Sequence, residues 1–316
     1  MTKVSPFGSR ATADQVLAGI DLSGKHILVT GCSSGLGRET MHALAANGAH
    51  VIGLSRTWES AAQSCQEVAY NTEPVGCDLG DLDSVGDVVQ RIRNRSIQLD
   101  AIVANAAVAF LPALNTRYGV EMQFLVNHIG HFALVTQLQD LLRSGSGRVV
   151  VVTDRASQAA LPNRGIMFDN LAGQRFYRPE AFYGQSKLAN LLFAKELSRR
   201  LRNRGVTVNA VDPRSARGTQ LHQHRARSQR AWQALAAPFI QSRRQASSTT
   251  ALLAGSPSVA GLSGELWQDC RTADGGRHFV DATMAAELWR ISEEIISSRQ
   301  APRVTYTEPR GALAAA

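Results

Sequence analysis

The run HILVT at residues 26–30 passes directly into GCSSGLG at 31–37, and a helical pattern, GRETMHALAANG, follows without a break. A short buried strand, a glycine-rich turn and a helix in that order constrain this chain more than any other feature. A strand that bends at once into a helix needs residues without Cβ at the bend, and Gly31, Gly35 and Gly37 supply them. The first N–H groups of the helix are left unpaired and carry partial positive charge, which suits a pyrophosphate. A glycine-rich turn alone is weak evidence, but placed in a first βα unit it is strong.

The rest of the chain repeats that alternation. HVIGL (50–54), DAIVAN (100–105), RVVVVT (148–153) and VTVNAV (206–211) are short, apolar and uninterrupted, as strands buried on both faces of a parallel sheet are. Between them lie LDSVGDVVQRIRN, a long segment at 117–143 and FYGQSKLANLLFAKELSRRLRN, all with helical periodicity. The reading is an α/β chain with a single-domain Rossmann fold: a doubly wound parallel sheet of strand order 3-2-1-4-5-6-7. The domain spans 25–300, after a lead-in arm at 1–24 and before a tail at 301–316. Residues 214–262 break the alternation and are rich in Arg, Gln, Ser and His, which reads as a lid over a substrate.

Bulk properties narrow the function class. With 44% hydrophobic and 19% charged residues the chain is globular. No apolar run reaches the roughly 18 residues of a membrane span, and MTKVSPFGSRATADQV has no apolar signal core. Cys32, Cys65, Cys77 and Cys270 show no metal or CxxC spacing, so free thiols in a reducing cytoplasm are expected. The net charge is +8, yet only four of the 34 basic residues are lysines. No nucleic-acid-binding signature accompanies the charge, so a nucleic acid partner is not expected.

The second strand ends in Ser55-Arg56-Thr57. An NAD site usually has an acid there for the ribose 2′-hydroxyl, whereas an arginine pairs with a 2′-phosphate. Arg56, with Arg38 adding to the field, therefore predicts NADP(H) as cofactor. Asp78, at the end of the third strand, is placed to meet the adenine amino group.

TGxxxGxG at 30–37, Asp78-Leu79, NAA at 105–107, Asn127 within VNHIGHF and YxxxK at 183–187 together resemble the classical short-chain dehydrogenase/reductases. GVTVNAVDP, LSGELWQDC and AAELWRIS are similar to the branch of retinol dehydrogenases and WW-domain oxidoreductases, and the likeness runs over about residues 10–297. It implies an enzyme interconverting an alcohol and a carbonyl on a small-molecule substrate, assembled as a homodimer or homotetramer. It also implies a cofactor site of Gly31, Ser33, Ser34, Gly35, Leu36, Gly37, Arg56, Asp78, Leu79, Asn105, Ala106, Ala107, Tyr183, Lys187 and Pro213. Tyr183 and Lys187, four apart on a helix, share a face. An ammonium beside a phenol, whose reference pKa is about 10, favours the phenolate and makes it a usable acid or base. By the resemblance, Lys187 also holds the nicotinamide ribose and Asn127 supports a proton-relay water. His128 and His131 form an HxxH pair without a third ligand in view, and no metal is expected.

Three positions depart from the family pattern. The fifth strand usually ends in two serines, the second orienting the substrate oxygen; here they are Thr153 and Asp154. A carboxylate donates no hydrogen bond and repels charge developing on oxygen. Several routes stay open: Asp154 protonated by burial, Thr153 rotated inward, Ser157 curled back, Asp154 neutralised by Arg155 or acting as a base, or Asp154 merely capping the next turn. Pro213 is followed by Arg214 where glycine is usual, and Ala107 replaces a glycine. Arg214, Arg217, His222, His224, Arg225, Arg227 and Arg230 suggest an acidic or polyphenolic substrate, or simply a solvated face. Alternatives to a simple oxidoreductase are a cyclase, dehydratase or epimerase with Asp154 recruited, and an NADP(H)-binding regulator.

Overall fold

A computed structural model describes residues 5–68, 70–161, 165–213, 241–273 and 281–299. Eight strands form one sheet: β1 (His26–Thr30), β2 (His50–Ser55), β3 (Thr72–Gly76), β4 (Ala101–Ala104), β5 (Arg148–Val152), β6 (Thr207–Val211), β7 (Leu266–Gln268) and β8 (Arg271–Thr272). Their order is β8-β7-β6-β5-β4-β1-β2-β3, parallel throughout except for β8, which returns antiparallel on β7. The first seven follow the expected 3-2-1-4-5-6-7. Strand order reverses between β1 and β4, where a crevice opens beyond the strand ends and ligands of such sheets bind.

The apolar runs are continuous because each strand feeds two cores. Leu28, Ile52, Leu54, Ile102, Val149 and Val151 face one side, packing with Phe124, Phe193, Leu288 and Trp289. Ile27, Val29, Val51, Val103 and Val150 face the other, packing with Leu17, Leu44, Leu252 and Trp267. The helices α4 (Leu82–Arg93), α7 (Pro179–Leu201) and α10 (Ala282–Ser298) cover the first side; α2 (Gly35–Ala46) and α3 (Trp58–Val68) cover the second.

Three segments differ from expectation. The stretch read as a lead-in arm contains α1 (Ala13–Leu17), started by a capping box between Thr12 and Gln15, and its Ala13, Val16 and Leu17 are buried. Of the stretch read as a lid, residues 214–240 lie outside the described residues, and so do all seven of its Arg and His residues singled out above. Its described half holds α8 (Arg243–Ala246) and α9 (Ser248–Gly255), and every residue of α9 is buried. A helix buried on all sides belongs in a core, and α9 packs among α1, α2 and the sheet rather than covering a pocket. The 117–143 segment begins with a two-stranded hairpin, Thr116–Arg117 with Val120–Glu121, because Tyr118 and Gly119 both take left-handed φ. Then α5 (Met122–Phe124), a π-helical turn (Leu125–Ile129) and α6 (Gly130–Leu138) run on in succession. The tail at 301–316 lies outside the described residues.

Candidate active site

One cleft of about 2240 Å³ runs from the glycine loop along the ends of β1, β4, β5 and β6, above the 300–1,000 Å³ or so of an ordinary ligand pocket. It has room for a dinucleotide and a substrate together. At its first end Gly31 has φ +72°, and a Cβ there would stand 2.8 Å from the Ala106 Cα. A Cβ on Gly37 would stand 2.2 Å from the Gly31 carbonyl oxygen. The loop can therefore fold back on the first turn of α2 only with glycine at both places. Thr30 ties it to β4: its hydroxyl accepts from the Asn105 and Ala106 backbone N–H (2.9 and 3.0 Å), and the Asn105 amide donates to the Thr30 carbonyl (2.9 Å). Ser34, the residue before α2, makes no side-chain cap, so the N–H groups of that turn keep their capacity toward the cleft.

Ser33, Ser34, Gly35, Leu36, Arg56, Asp78, Leu79, Asn105, Ala106, Ala107 and Pro213 all line this cleft with Gly31, as do Tyr183 and Lys187; Gly37 lies just behind the wall. Arg56 is exposed and pairs with no carboxylate among the described residues. Arg38 is held by Glu67 at 2.5 Å. Asp78 accepts the Gly80 N–H through one oxygen (2.9 Å). An uncapped helix start, a cradle that a Cβ would fill and an unpaired guanidinium fit a phosphorylated dinucleotide.

At the second end Lys187 is 2% exposed. Its ammonium donates to the Val152 carbonyl at 3.3 Å and stands 5.7 Å from the Tyr183 ring centre. Burial pulls it down to about 8, against the opposing pull of Asp154 and then Asp212. The Phe110 ring packs on Tyr183 with centres 4.9 Å apart. Phe110 takes a left-handed φ of 57° and is fixed by its N–H donating to Gln123 Oε1 (2.6 Å).

Two residues named from the sequence stand differently. Thr153 is buried and its hydroxyl donates to the Lys187 carbonyl at 2.6 Å, so the inward rotation that would orient a substrate is not made. Asn127 is fully buried and is not part of the cleft wall. Its side-chain oxygen accepts from the Val108 N–H (2.8 Å), and its amide donates to the Val108 carbonyl and to Ser186 Oγ (both 2.9 Å). Asn127 thus ties the loop after β4 to α7, and its own carbonyl receives His131 Nδ1 at 2.9 Å.

Asp154 is half-buried and lines the cleft. One of its oxygens accepts the Ser157 N–H (3.1 Å), which is the turn-capping route. Ser157 does curl back, but its hydroxyl donates to the Asp154 carbonyl at 2.8 Å. This turn is pressed on α7, where a Cβ on Gly184 would stand 2.4 Å from the Ser157 carbonyl oxygen. Asp212 also lines this end and accepts from Gln268 Nε2 at 3.3 Å. It was not singled out from the sequence, although an acid just before Pro213 at the end of a buried strand was a legible signal.

The HxxH pair divides. His131 Nδ1 must donate to the carbonyl of Asn127, so its Nε2 accepts from the Thr30 hydroxyl at 2.8 Å. His128 Nε2 meets Ser292 Oγ at 2.9 Å. Burial pushes His128 down to about 3 and His131 to about 4, so both are neutral struts. Among the described residues no three metal-ligating side chains converge, and no helix is long and apolar enough to cross a membrane. Cys32, Cys65, Cys77 and Cys270 are buried free thiols.

Comparison with known proteins places this geometry. The family model described as short chain dehydrogenase matches residues 25–167. The human WW domain-containing oxidoreductase is 34% identical over 309 residues, covering 93% of this chain and 73% of its own length. Human retinol dehydrogenase 14 is 34% identical over 297 residues, 87% of each chain. The chloroplastic short-chain dehydrogenase TIC 32 B of Brassica napus is 32% identical over 307 residues, 93% of this chain and 95% of its own. Among solved structures, an uncharacterised protein from Mycobacterium Paratuberculosis superposes with a TM-score of 0.67 at 29% identity, over 91% of this chain and 97% of its own. A protein described as an NAD(P) dependent gluconate 5-dehydrogenase from Beutenbergia cavernae, with bound NADP, gives 0.61 at 25% identity, over 78% and 96%. The chain belongs to the short-chain dehydrogenase/reductase family of oxidoreductases, in the branch of the retinol dehydrogenases and WW-domain oxidoreductases.

Proposed function

We propose that the protein is an NADP(H)-dependent oxidoreductase that interconverts a polar double bond and its reduced form on a small organic molecule, a carbonyl and an alcohol in the family's ordinary case. The bound nicotinamide supplies or receives the hydride. Tyr183 is the acid that protonates the reacting heteroatom, or the base in reverse. Lys187, beside it, holds the ammonium that favours the phenolate and meets the nicotinamide ribose. Gly31, Ser33, Ser34, Gly35, Leu36 and Gly37 receive the pyrophosphate; Asn105, Ala106, Ala107, Leu79 and Pro213 line its path. Asp78 meets the adenine and Arg56 the 2′-phosphate. Asn127 is a positioning residue, acting through the loop at Val108 and through α7 rather than on a substrate.

The observation that carries this reading is the common cleft: Tyr183 and the buried Lys187 stand at one end, and the glycine loop with unpaired Arg56 at the other. The bound NADP of the Beutenbergia cavernae neighbour supports the cofactor class. The test is a titration of the purified protein with NADPH, followed by a substrate panel read at the nicotinamide absorbance. Saturable binding with substrate-dependent NADPH consumption is expected. Product formed without consumption of NADPH would overturn the redox assignment.

A further inference from the structure

Among the described residues, the end of β5 turns no side-chain hydroxyl toward a substrate. Asp154 occupies the substrate-facing position, and the hydroxyls on either side are committed: Thr153 Oγ1 to the Lys187 carbonyl at 2.6 Å, Ser157 Oγ to the Asp154 carbonyl at 2.8 Å. The Ser157 N–H holds one Asp154 oxygen at 3.1 Å, which fixes the carboxylate in place. Its other oxygen has no hydrogen-bond partner among the described residues, and the residue belongs to the cleft wall. What this position offers a substrate is therefore an acceptor and a negative charge. Among the described residues, Glu180, Asp212 and Lys187 line the same cleft, and Arg155, next to Asp154 in the chain, is not part of its wall.

That arrangement is adverse to a carbonyl. As hydride reaches its carbon, the oxygen gains negative charge, and a fixed carboxylate raises the energy of that state. The opposite holds for a carbon–nitrogen double bond. An iminium N–H donates to an acceptor, and its positive charge is stabilised by a carboxylate. The Phe110 ring, packed on Tyr183 and lining the cleft, adds an aromatic face beside the same space.

We propose that the reacting bond of the substrate is C=N: the enzyme reduces an imine, bound as its iminium against Asp154, to an amine, or oxidises the amine in reverse. This rests on the hydride-transfer reading above. A neutral imine takes a proton on nitrogen from Tyr183, and the phenolate recovers one from solvent. The reduced nicotinamide then delivers a hydride to the carbon, the C=N π pair becomes the nitrogen lone pair, and the products are a neutral amine and the oxidised dinucleotide. Carbon is reduced by two electrons, the nicotinamide is oxidised by two, and no further reagent enters.

The test uses matched pairs on one bicyclic skeleton: tetrahydroisoquinoline against tetralol for binding, and dihydroisoquinoline against tetralone for turnover. The proteins are wild type, Asp154→Asn and Asp154→Ser. Asparagine keeps an oxygen for the Ser157 N–H, so the turn is retained, and the melting temperature of each variant verifies it. NADPH binding is measured first; its absence in wild type defeats the underlying reading, separately from the substrate class. With the cofactor site saturated, calorimetry is expected to show the amine bound about tenfold or more tighter than the alcohol by wild type, and that preference lost in Asp154→Asn. Turnover is expected to favour imine over ketone in wild type and to swing toward ketone in Asp154→Ser. No amine preference in wild type, a preference untouched by Asp154→Asn, or a ketone favoured by wild type would overturn the proposal.

Discussion

At the adenine end of the cleft the geometry is made almost entirely of backbone: glycines that admit no Cβ, an uncapped helix start, and a threonine that gathers two amides just after the neighbouring strand β4. At the reacting end it is made of side chains, and two of the expected contributors are turned elsewhere while a third is replaced. Thr153 faces the backbone of α7, Asn127 is locked between Val108 and Ser186, and a carboxylate stands where a hydroxyl is usual. A backbone cradle tolerates little change and keeps binding the same diphosphate. A side-chain site can be rewritten one residue at a time without unfolding the sheet beneath it. The two ends therefore carry different information: the first identifies the cofactor class, the second the individual enzyme.

The widest separation between the ends comes from Tyr183→Phe. Removing the phenol is expected to lower kcat by about 100- to 10,000-fold, the range of general acid–base catalysis, while NADPH affinity measured by fluorescence stays within about threefold. Equal losses in both would merge the two ends into one. Gly37→Ala attacks the other end. Its Cβ would stand 2.2 Å from the Gly31 carbonyl oxygen, so the loop has to open. NADPH affinity should drop by more than about tenfold, with a melting-temperature loss in keeping with an overpacking cost of about 1–3 kcal/mol. Retained affinity would contradict the backbone cradle.

A smaller effect is read in the pH profile. Burial holds Lys187 near 8, so its ammonium is present below that pH and lost above it. Turnover should fall as pH rises through about 8. Asp154 helps keep this lysine protonated, so Asp154→Asn should move the falling limb to lower pH. A limb unmoved by the substitution would show that Asp154 and Lys187 are not electrostatically coupled.

The strands, their order, the glycine loop and the Tyr183–Lys187 pair were legible because each leaves a local trace: an apolar run, a missing Cβ, a spacing of four. Segments whose role depends on distant partners were not. Helix α9, STTALLAG, has no polar face to mark its period, so burial could not be told from a loop. The start of α1 did carry a trace, the Thr12–Gln15 capping box, in a stretch read only as an arm. Thr30 and His131 meet across 101 residues, and nothing local to either announces it. The direction of the Thr153 hydroxyl and the left-handed turn at Phe110 likewise depend on α7 and on Gln123, which periodicity does not place.

The contrast between the ends rests first on the cofactor site, and the most direct measurement is a pair of equilibrium titrations, NADPH and NADH, on wild type and Arg56→Ala. Wild type should bind NADPH at least about tenfold more tightly than NADH, as expected for a charge-assisted pair between the guanidinium and a 2′-phosphate. Arg56→Ala should lose that preference and leave NADH affinity unchanged. Equal affinities in wild type, or a preference that survives the substitution, would contradict it.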